Sequence, residues 1–464
     1  MSLQFIFGNS GSGKSHYLYQ QIVEESIRHP EKNYLVLVPE QFTMQTQKDL
    51  CMAHPRGGIM NIDVLSFGRL AHRVFEETGK ERQPILDDEG KNLVLRKIAG
   101  NYEDELTVLK GNLKKQGYIS EVKSVISEFT QYGIDFEQLD SFMEGLNSES
   151  YLYYKLKDIR KVYEGFEDYL RDKYITKEEL LDVLSQNVAE AKMLKDSVIA
   201  MDGFTGFTPV QNRLIGELLK VCDKIMLTVE IDRREDPFVY KHPYQLFALS
   251  KQMVTSLTEV AQEVKVEIDE PVWLCKNPPY RFKENPEMAF LEEELFRYSR
   301  RKYSGEKMQS ISLHEVHTPQ EEAQYVAEEI RRLVREEGYR YREIAVIASD
   351  LNTYADSLEK ACERYEIPVF MDHKKSILLN SFVEYLRSLL VMVEQNYTYE
   401  SVFRYLRTGL CGFTRDEVDR LENYCLALDL KGFKKWDQVW VRKTPMNEKK
   451  KNWKELKSSC ACVL

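Results

Sequence analysis

Long apolar runs are missing from this 464-residue chain. No stretch reaches the roughly 18 consecutive apolar residues that a membrane-spanning helix needs, so the sequence reads as soluble with no membrane partner. A basic, apolar leader is missing too, because residues 1–7 run straight into a glycine-rich segment. The expected location is cytoplasmic. Cysteine is sparse and scattered, at Cys51, Cys222, Cys275, Cys362, Cys411, Cys425, Cys460 and Cys462. Only the last pair is close, so no metal cage can be read, and buried, reduced thiols are the expectation. The terminal Ala461-Cys462-Val463-Leu464 places its cysteine third from the end, which excludes a prenylation box. Positive charge is not in excess either, with Lys and Arg at 65 against 75 for Asp and Glu and a net charge of −10. Any contact with DNA therefore has to be a local groove rather than a global attraction.

What is present begins at the amino terminus. Gly8-Asn9-Ser10-Gly11-Ser12-Gly13-Lys14-Ser15 satisfies G-x4-G-K-S at every fixed position. It lies between an apolar run, residues 3–7, and a stretch with Tyr17, Leu18, Ile22, Val23 and Ile27 at helical spacing. Strand, loop and helix is the context in which such a motif cradles phosphate. The glycines let backbone N–H groups turn towards phosphate oxygens at the positive end of the helix. Lys14 is the expected partner of β and γ oxygens and Ser15 the expected magnesium ligand, so ATP with Mg2+ is the expected cofactor. A second acid is needed at the end of a neighbouring strand, and Val198-Ile199-Ala200-Met201-Asp202 supplies one. Asp202 is followed by Gly203 rather than by a water-orienting glutamate, so binding is better supported than fast hydrolysis.

The chain reads as a P-loop α/β domain with a helical insertion, followed by a second α/β segment. Apolar runs at residues 34–38, 59–65, 197–201 and 224–229 alternate with helical stretches, which argues a parallel sheet. Residues 84–195 are almost purely helical, with Leu152, Leu156, Ile159, Tyr163, Phe166 and Leu170 at three- and four-residue spacing. Thr176-Lys177-Glu178-Glu179 offers a capping box. The first domain thus covers 1–83 and 196–269, and 270–309 is a linker rich in proline and charge. Strands at 310–316 and 343–348, the helix capped by Thr318-Pro319-Gln320-Glu321, a helix over 351–365 and the run Ile367-Pro368-Val369-Phe370 start the second domain, 310–375. A partial helical insertion, 376–442, and an ill-patterned tail, 443–464, complete the chain.

The sequence after Asp202, Gly203-Phe204-Thr205-Gly206-Phe207-Thr208-Pro209-Val210-Gln211, resembles a decayed form of the D-E-F-Q-D-T-x-x-x-Q segment of UvrD-like superfamily 1 helicases. Asp202, Phe204 and Gln211 fall in place. Val64-Leu65-Ser66-Phe67-Gly68-Arg69-Leu70 resembles the third-strand H-S-F segment of the same proteins. With Leu37-Val38-Pro39-Glu40-Gln41-Phe42-Thr43 added, the chain most resembles the AddB/RexB family, the B subunits of bacterial AddAB helicase-nucleases, from Met1 to about Asn423. The resemblance implies a P-loop, RecA-like α/β helicase-type domain with a helical insertion, followed by the start of a second α/β motor-like domain, and a heterodimer with an AddA-type helicase-nuclease subunit. It also implies ATP-dependent processing of DNA double-strand-break ends for recombinational repair, with recognition of Chi. It extends the nucleotide site from residues 8–15 to Asp202 and Gln211, with Ser15 and Asp202 on the metal. Single-stranded DNA is expected against Phe42, Thr43, Ser66 and Phe67, where aromatic faces can stack on any base.

The departures from that pattern are specific. Only seven residues precede Gly8, leaving no room for an adenine-reading Q-motif. Ser349 stands where a nucleotide-sensing arginine is expected, and residues 224–236 lack the G-D-x-x-Q coupling pattern. The nuclease and the 4Fe-4S cluster of the family belong to a carboxy-terminal part with no counterpart here. Lys114-Lys115 and the basic residues of 155–160 read first as solvated faces, with phosphate contact as the alternative. Two other functions remain open on the residues alone: an unrelated P-loop kinase or ATPase, and a nucleotide-dependent scaffold that touches no DNA.

Overall fold

The computed structural model describes residues 1–79, 84–113, 115–171, 173–305, 308–372 and 377–440. Lys114 and the tail 443–464 lie outside the described residues. The chain divides into two compact units, Met1–Ser312 and Leu313–Leu464.

The first unit is built on a parallel sheet. Its strands are β1 (Ser2–Gly8), β2 (Tyr34–Leu37) and β3 (Ile62–Leu65), followed after the helical region by β6 (Val198–Met201), β7 (Lys224–Glu230), β8 (Glu267–Ile268) and β9 (Val272–Trp273). A separate pair, β4 (Ile85–Leu86) and β5 (Ile175–Thr176), joins the two ends of the helical region. The large sheet runs β3-β2-β6-β7-β1-β8, with β9 also pairing with β1. Every pairing is parallel.

The apolar runs have this form because both faces of the sheet are covered. Leu3, Phe5, Phe7, Leu35, Leu37, Ile199, Met201, Leu227 and Val229 pack into a core on one face. The alternate residues Ile6, Tyr34, Val36, Val198, Ala200 and Met226 pack into a core on the other. Burying each large side chain stabilises the fold by about 1.5–3 kcal/mol, and a one-residue slip would exchange the two sets, so the register is firmly specified. The helix Lys14–Arg28 covers the second face with Leu18, Ile22 and Val23. The helices Phe67–Thr78, Leu180–Asn187, Pro209–Leu219 and Ala248–Glu263 cover the first.

The helical region carries its own core, in which Leu95, Ile126, Val162 and Phe166 are buried together. The expected cap at its end forms reciprocally: the Thr176 N–H donates to Glu179 Oε2 at 2.6 Å and the Glu179 N–H to Thr176 Oγ1 at 3.3 Å. Arg160 is paired with Asp140 at 2.5 and 2.8 Å, and Lys115 and Lys155 are exposed, as a solvated face requires.

Two expectations need correction. Residues 270–309 are more than a connection, because β9 adds to the sheet and a short helix, Pro286–Glu294, packs near the glycine-rich loop. In the second unit the helices Pro319–Glu336 and Leu351–Arg364 form as expected, and the Thr318 hydroxyl accepts from the Glu321 N–H. The expected strands do not: residues 310–316 and 344–348 have no strand pairing among the described residues. A helix closes its hydrogen bonds within itself, whereas a strand needs a neighbour. Leu313 and Ile347 are at least nine-tenths exposed on these unpaired segments. No helix among the described residues is long and apolar enough to cross a membrane.

Candidate functional site

The carboxyl ends of β1, β2, β3, β6 and β7 lie along one edge of the sheet, the edge at which open parallel sheets meet their ligands. The glycine-rich loop leaves β1 at Gly8. A Cβ there would collide with Ser12 Oγ, and Gly11 and Gly13 take φ of 72° and 94°, which side chains disfavour. Gly13 begins the helix Lys14–Arg28 without a side-chain cap or an acid in the first turn, so the first N–H groups of the helix have no competing partner of their own. Lys14 is folded back, donating from Nζ to the carbonyls of Gly8 at 3.0 Å and Asn9 at 2.9 Å. Burial holds its ammonium below the usual lysine value, opposed by the charges of Glu230, Asp202, Cys275 and Glu292.

Asp202 follows β6 and is only 6% exposed. Three hydroxyls hold it: Ser15 Oγ at 3.1 Å and Thr228 Oγ1 at 2.5 Å donate to Oδ1, and the Tyr19 OH donates to Oδ2 at 2.8 Å. Burial and the Asp202 charge raise the Tyr19 phenol well above its usual value, so it remains a donor. The structure thus brings Ser15 and Asp202 together across 187 residues of chain. Two polar atoms of the loop, Asn9 Oδ1 and Ser12 Oγ, are buried without a hydrogen-bond partner, on residues 9% and 7% exposed. Such orphans are costly unless something else satisfies them.

Gln211 is placed in the first turn of the helix Pro209–Leu219. Its Oε1 accepts from the Thr208 N–H at 2.9 Å in a capping box. Of the four residues expected to meet DNA, Phe42 is 48% exposed and the other three are turned inwards. Thr43 donates to the Glu40 carbonyl at 3.0 Å and Ser66 caps the helix Phe67–Thr78. Phe67 is 8% exposed and packs on Phe204 and Phe207 at ring separations of 5.5 and 6.2 Å. Gly203, at φ 77°, lies beside the Phe42 ring.

The sequence did not point to Tyr19, Thr228 or Glu292. Tyr19 had a signal, since it stands four residues after Ser15 and shares its helix face. Thr228 interrupts an otherwise apolar strand, a weaker hint. Glu292, which accepts from Asn9 Nδ2 at 3.1 Å over 283 residues, had none.

A parallel α/β protein in which a glycine-rich loop, a lysine and a strand-end aspartate converge is the class these features define. The chain belongs to the family described as ADDB, N-terminal, whose model matches residues 5–292. A UvrD-like helicase C-terminal domain model matches residues 283–443. Among its relatives is a protein of Lachnoclostridium phytofermentans named as the B subunit of an ATP-dependent helicase/deoxyribonuclease, 42% identical over 450 residues, 96% of this chain and 39% of that protein. Proteins of the same name from Clostridium perfringens and Acetivibrio thermocellus are 34% and 33% identical, covering 95% and 93% of this chain and 38% and 37% of their own lengths. The chain therefore spans under two fifths of the length of these curated relatives.

Proposed function

We propose that this chain is the nucleotide-binding, helicase-like portion of the B subunit of an ATP-dependent helicase/deoxyribonuclease. In this reading it works beside an AddA-type partner on DNA double-strand-break ends, within a complex that recognises Chi. The observation that carries the nucleotide part is the loop itself: uncapped helix N–H groups, Lys14, the Ser15–Asp202 pair at 3.1 Å and the orphaned Ser12 Oγ. This donor set fits a triphosphate with magnesium. Lys14 would exchange two backbone carbonyls for phosphate oxygens, which as charged acceptors bind an ammonium more strongly. Ser15 and Asp202 would hold the cation, with Tyr19 and Thr228 keeping the carboxylate oriented. Magnesium would neutralise phosphate charge there.

The assignment to that complex is supported by relatives of that name and by the two family models. DNA contact at this edge is supported by the exposed ring of Phe42 alone among the four residues expected there. Gly203 brings no carboxylate for a water, so the site is read as a binder rather than a rapid hydrolase. The nuclease and 4Fe-4S cluster of the family are assigned to sequence outside the span matched here.

Lys14→Ala tests the nucleotide part. Removing two charge-assisted contacts should weaken Mg-ATP binding by about a hundredfold in isothermal titration, while the thermal transition stays in place because Lys14 supports no core. Undiminished affinity in the folded variant would end the nucleotide reading.

A further inference from the structure

The loop proposed above to take a triphosphate is already held by another part of the same unit. Past β9 the chain crosses the loop as a strap. The Arg281 N–H donates to the Gly11 carbonyl at 3.0 Å. Arg281 Cβ lies 2.8 Å from where a Gly11 Cβ would stand, and the Phe282 ring 3.3 Å from it. From the helix Pro286–Glu294, Glu292 returns to the loop. Its carboxylate accepts from Asn9 Nδ2 at 3.1 Å; burial raises its carboxyl above the usual value, opposed by the hydrogen bonds from Asn9 and from the Ser10 backbone N–H. Glu292 thus uses loop donors of the kind that would otherwise serve an anionic ligand.

The strap is anchored just beyond. Arg297 donates to Asp232 Oδ2 at 2.7 Å and to Glu235 Oε1 at 3.1 Å, and Arg234 donates to the Glu293 carbonyl at 2.7 Å. Arg297 and Asp232 have side chains 17% and 13% exposed, so water screens this pair less than a surface bridge. The anchor lies outside the loop and needs no change when the loop contacts break.

We propose that residues 280–292 are an internal competitor for the loop: Glu292 holds it when no triphosphate is bound, and a nucleoside triphosphate displaces Glu292 and loosens the strap around its anchor at Arg297. The inference rests on the nucleotide reading above. A carboxylate and a polyphosphate cannot share the same N–H donors, and their like charges repel in a partly dehydrated site. Binding and the strap contact are then two sides of one equilibrium, so weakening the strap must tighten the ligand.

The test uses the full chain with Mg-ATP as the probe, comparing wild type with Glu292→Gln, and with Glu293→Gln as a control on the same helix. Losing a charge-assisted competitor should tighten Mg-ATP by about tenfold in Glu292→Gln, with Glu293→Gln close to wild type. In wild type, Mg-ATP should raise amide hydrogen exchange across residues 280–292. Equal affinities for wild type and Glu292→Gln, weaker binding by Glu292→Gln, or a strap whose exchange ignores bound Mg-ATP would each overturn the competitor while leaving the nucleotide reading standing. Absence of binding by both wild type and Glu292→Gln would remove the nucleotide reading, and this inference with it.

Discussion

Asp158 in the helical region and Asp202 at the edge of the sheet are buried almost equally, at 3% and 6% exposure, yet they are held by opposite kinds of donor. Asp158 accepts from three consecutive backbone amides, Thr107 at 3.0 Å, Val108 at 2.7 Å and Leu109 at 2.9 Å. Asp202 accepts only side-chain hydroxyls in the contacts described. An amide is fixed by the backbone and has nothing else to offer, so Asp158 pins a turn. A hydroxyl can rotate and present a lone pair instead, which is what the cation proposed between Ser15 and Asp202 would require. Burial alone does not separate a structural carboxylate from a ligand-competent one; the donors around it do.

The sharpest way to break this contrast is Asp158→Ala. Three backbone N–H groups, that of Leu109 buried and those of Thr107 and Val108 partly so, lose their acceptor, which should cost about 2–4 kcal/mol in urea unfolding, with Mg-ATP affinity per folded molecule unchanged. A loss under about 1 kcal/mol would mean that the turn holds itself. Next in size, Asp202→Asn keeps an acceptor for the hydroxyls but removes the charge. Magnesium-dependent ATP affinity should fall by about ten- to a hundredfold with little change in the unfolding midpoint, and a mainly destabilised variant would make Asp202 another Asp158.

Glu167 supplies the third case, a carboxyl in the helical region that burial, and then the charge of Glu179, raises from the ordinary 4.5 to about 7. Between those two values the folded protein keeps a proton that the unfolded chain has released. Stability therefore falls as pH rises through that window and is level above it. Glu167→Gln should remove the slope, gaining about 1–2 kcal/mol over wild type at pH 8 relative to pH 4. Parallel pH profiles for the two proteins would show that the carboxyl is already ionised when folded.

Reading the sequence succeeded where the physics is local or repeated. The apolar runs at 34–38, 197–201 and 224–229 correspond to strands because double-sided burial makes them apolar throughout. The two-residue edge strands β8 and β9 are harder to see, since β8 lies in the alternating Val266-Glu267-Ile268-Asp269, β9 in the short run 272–275, and each pairs only with β1. Ser15 and Asp202 of the motif readings meet at the sheet edge, whereas the hydroxyls of Thr43 and Ser66, expected as contacts, are bonded to local backbone: Thr43 donates to the Glu40 carbonyl and Ser66 accepts from the Arg69 N–H as a helix cap. Short hydroxyl residues at strand ends serve both purposes, and sequence does not distinguish them. The second unit carries the same lesson for strands: Ile344 to Ile347 have strand-forming residues, but propensity supplies no partner.

The indole of Trp273 leans on Phe7 at 4.7 Å between ring centres, one residue before Gly8, and is 46% exposed. The chain has four tryptophans, and the others, Trp436, Trp440 and Trp453, all come after residue 312 in sequence. The unit Met1–Ser312 thereby carries a single indole fluorophore, stacked on the strand that delivers the loop. Its emission and quenching can follow that loop in solution without any attached dye, once the second unit's tryptophans are replaced by phenylalanine.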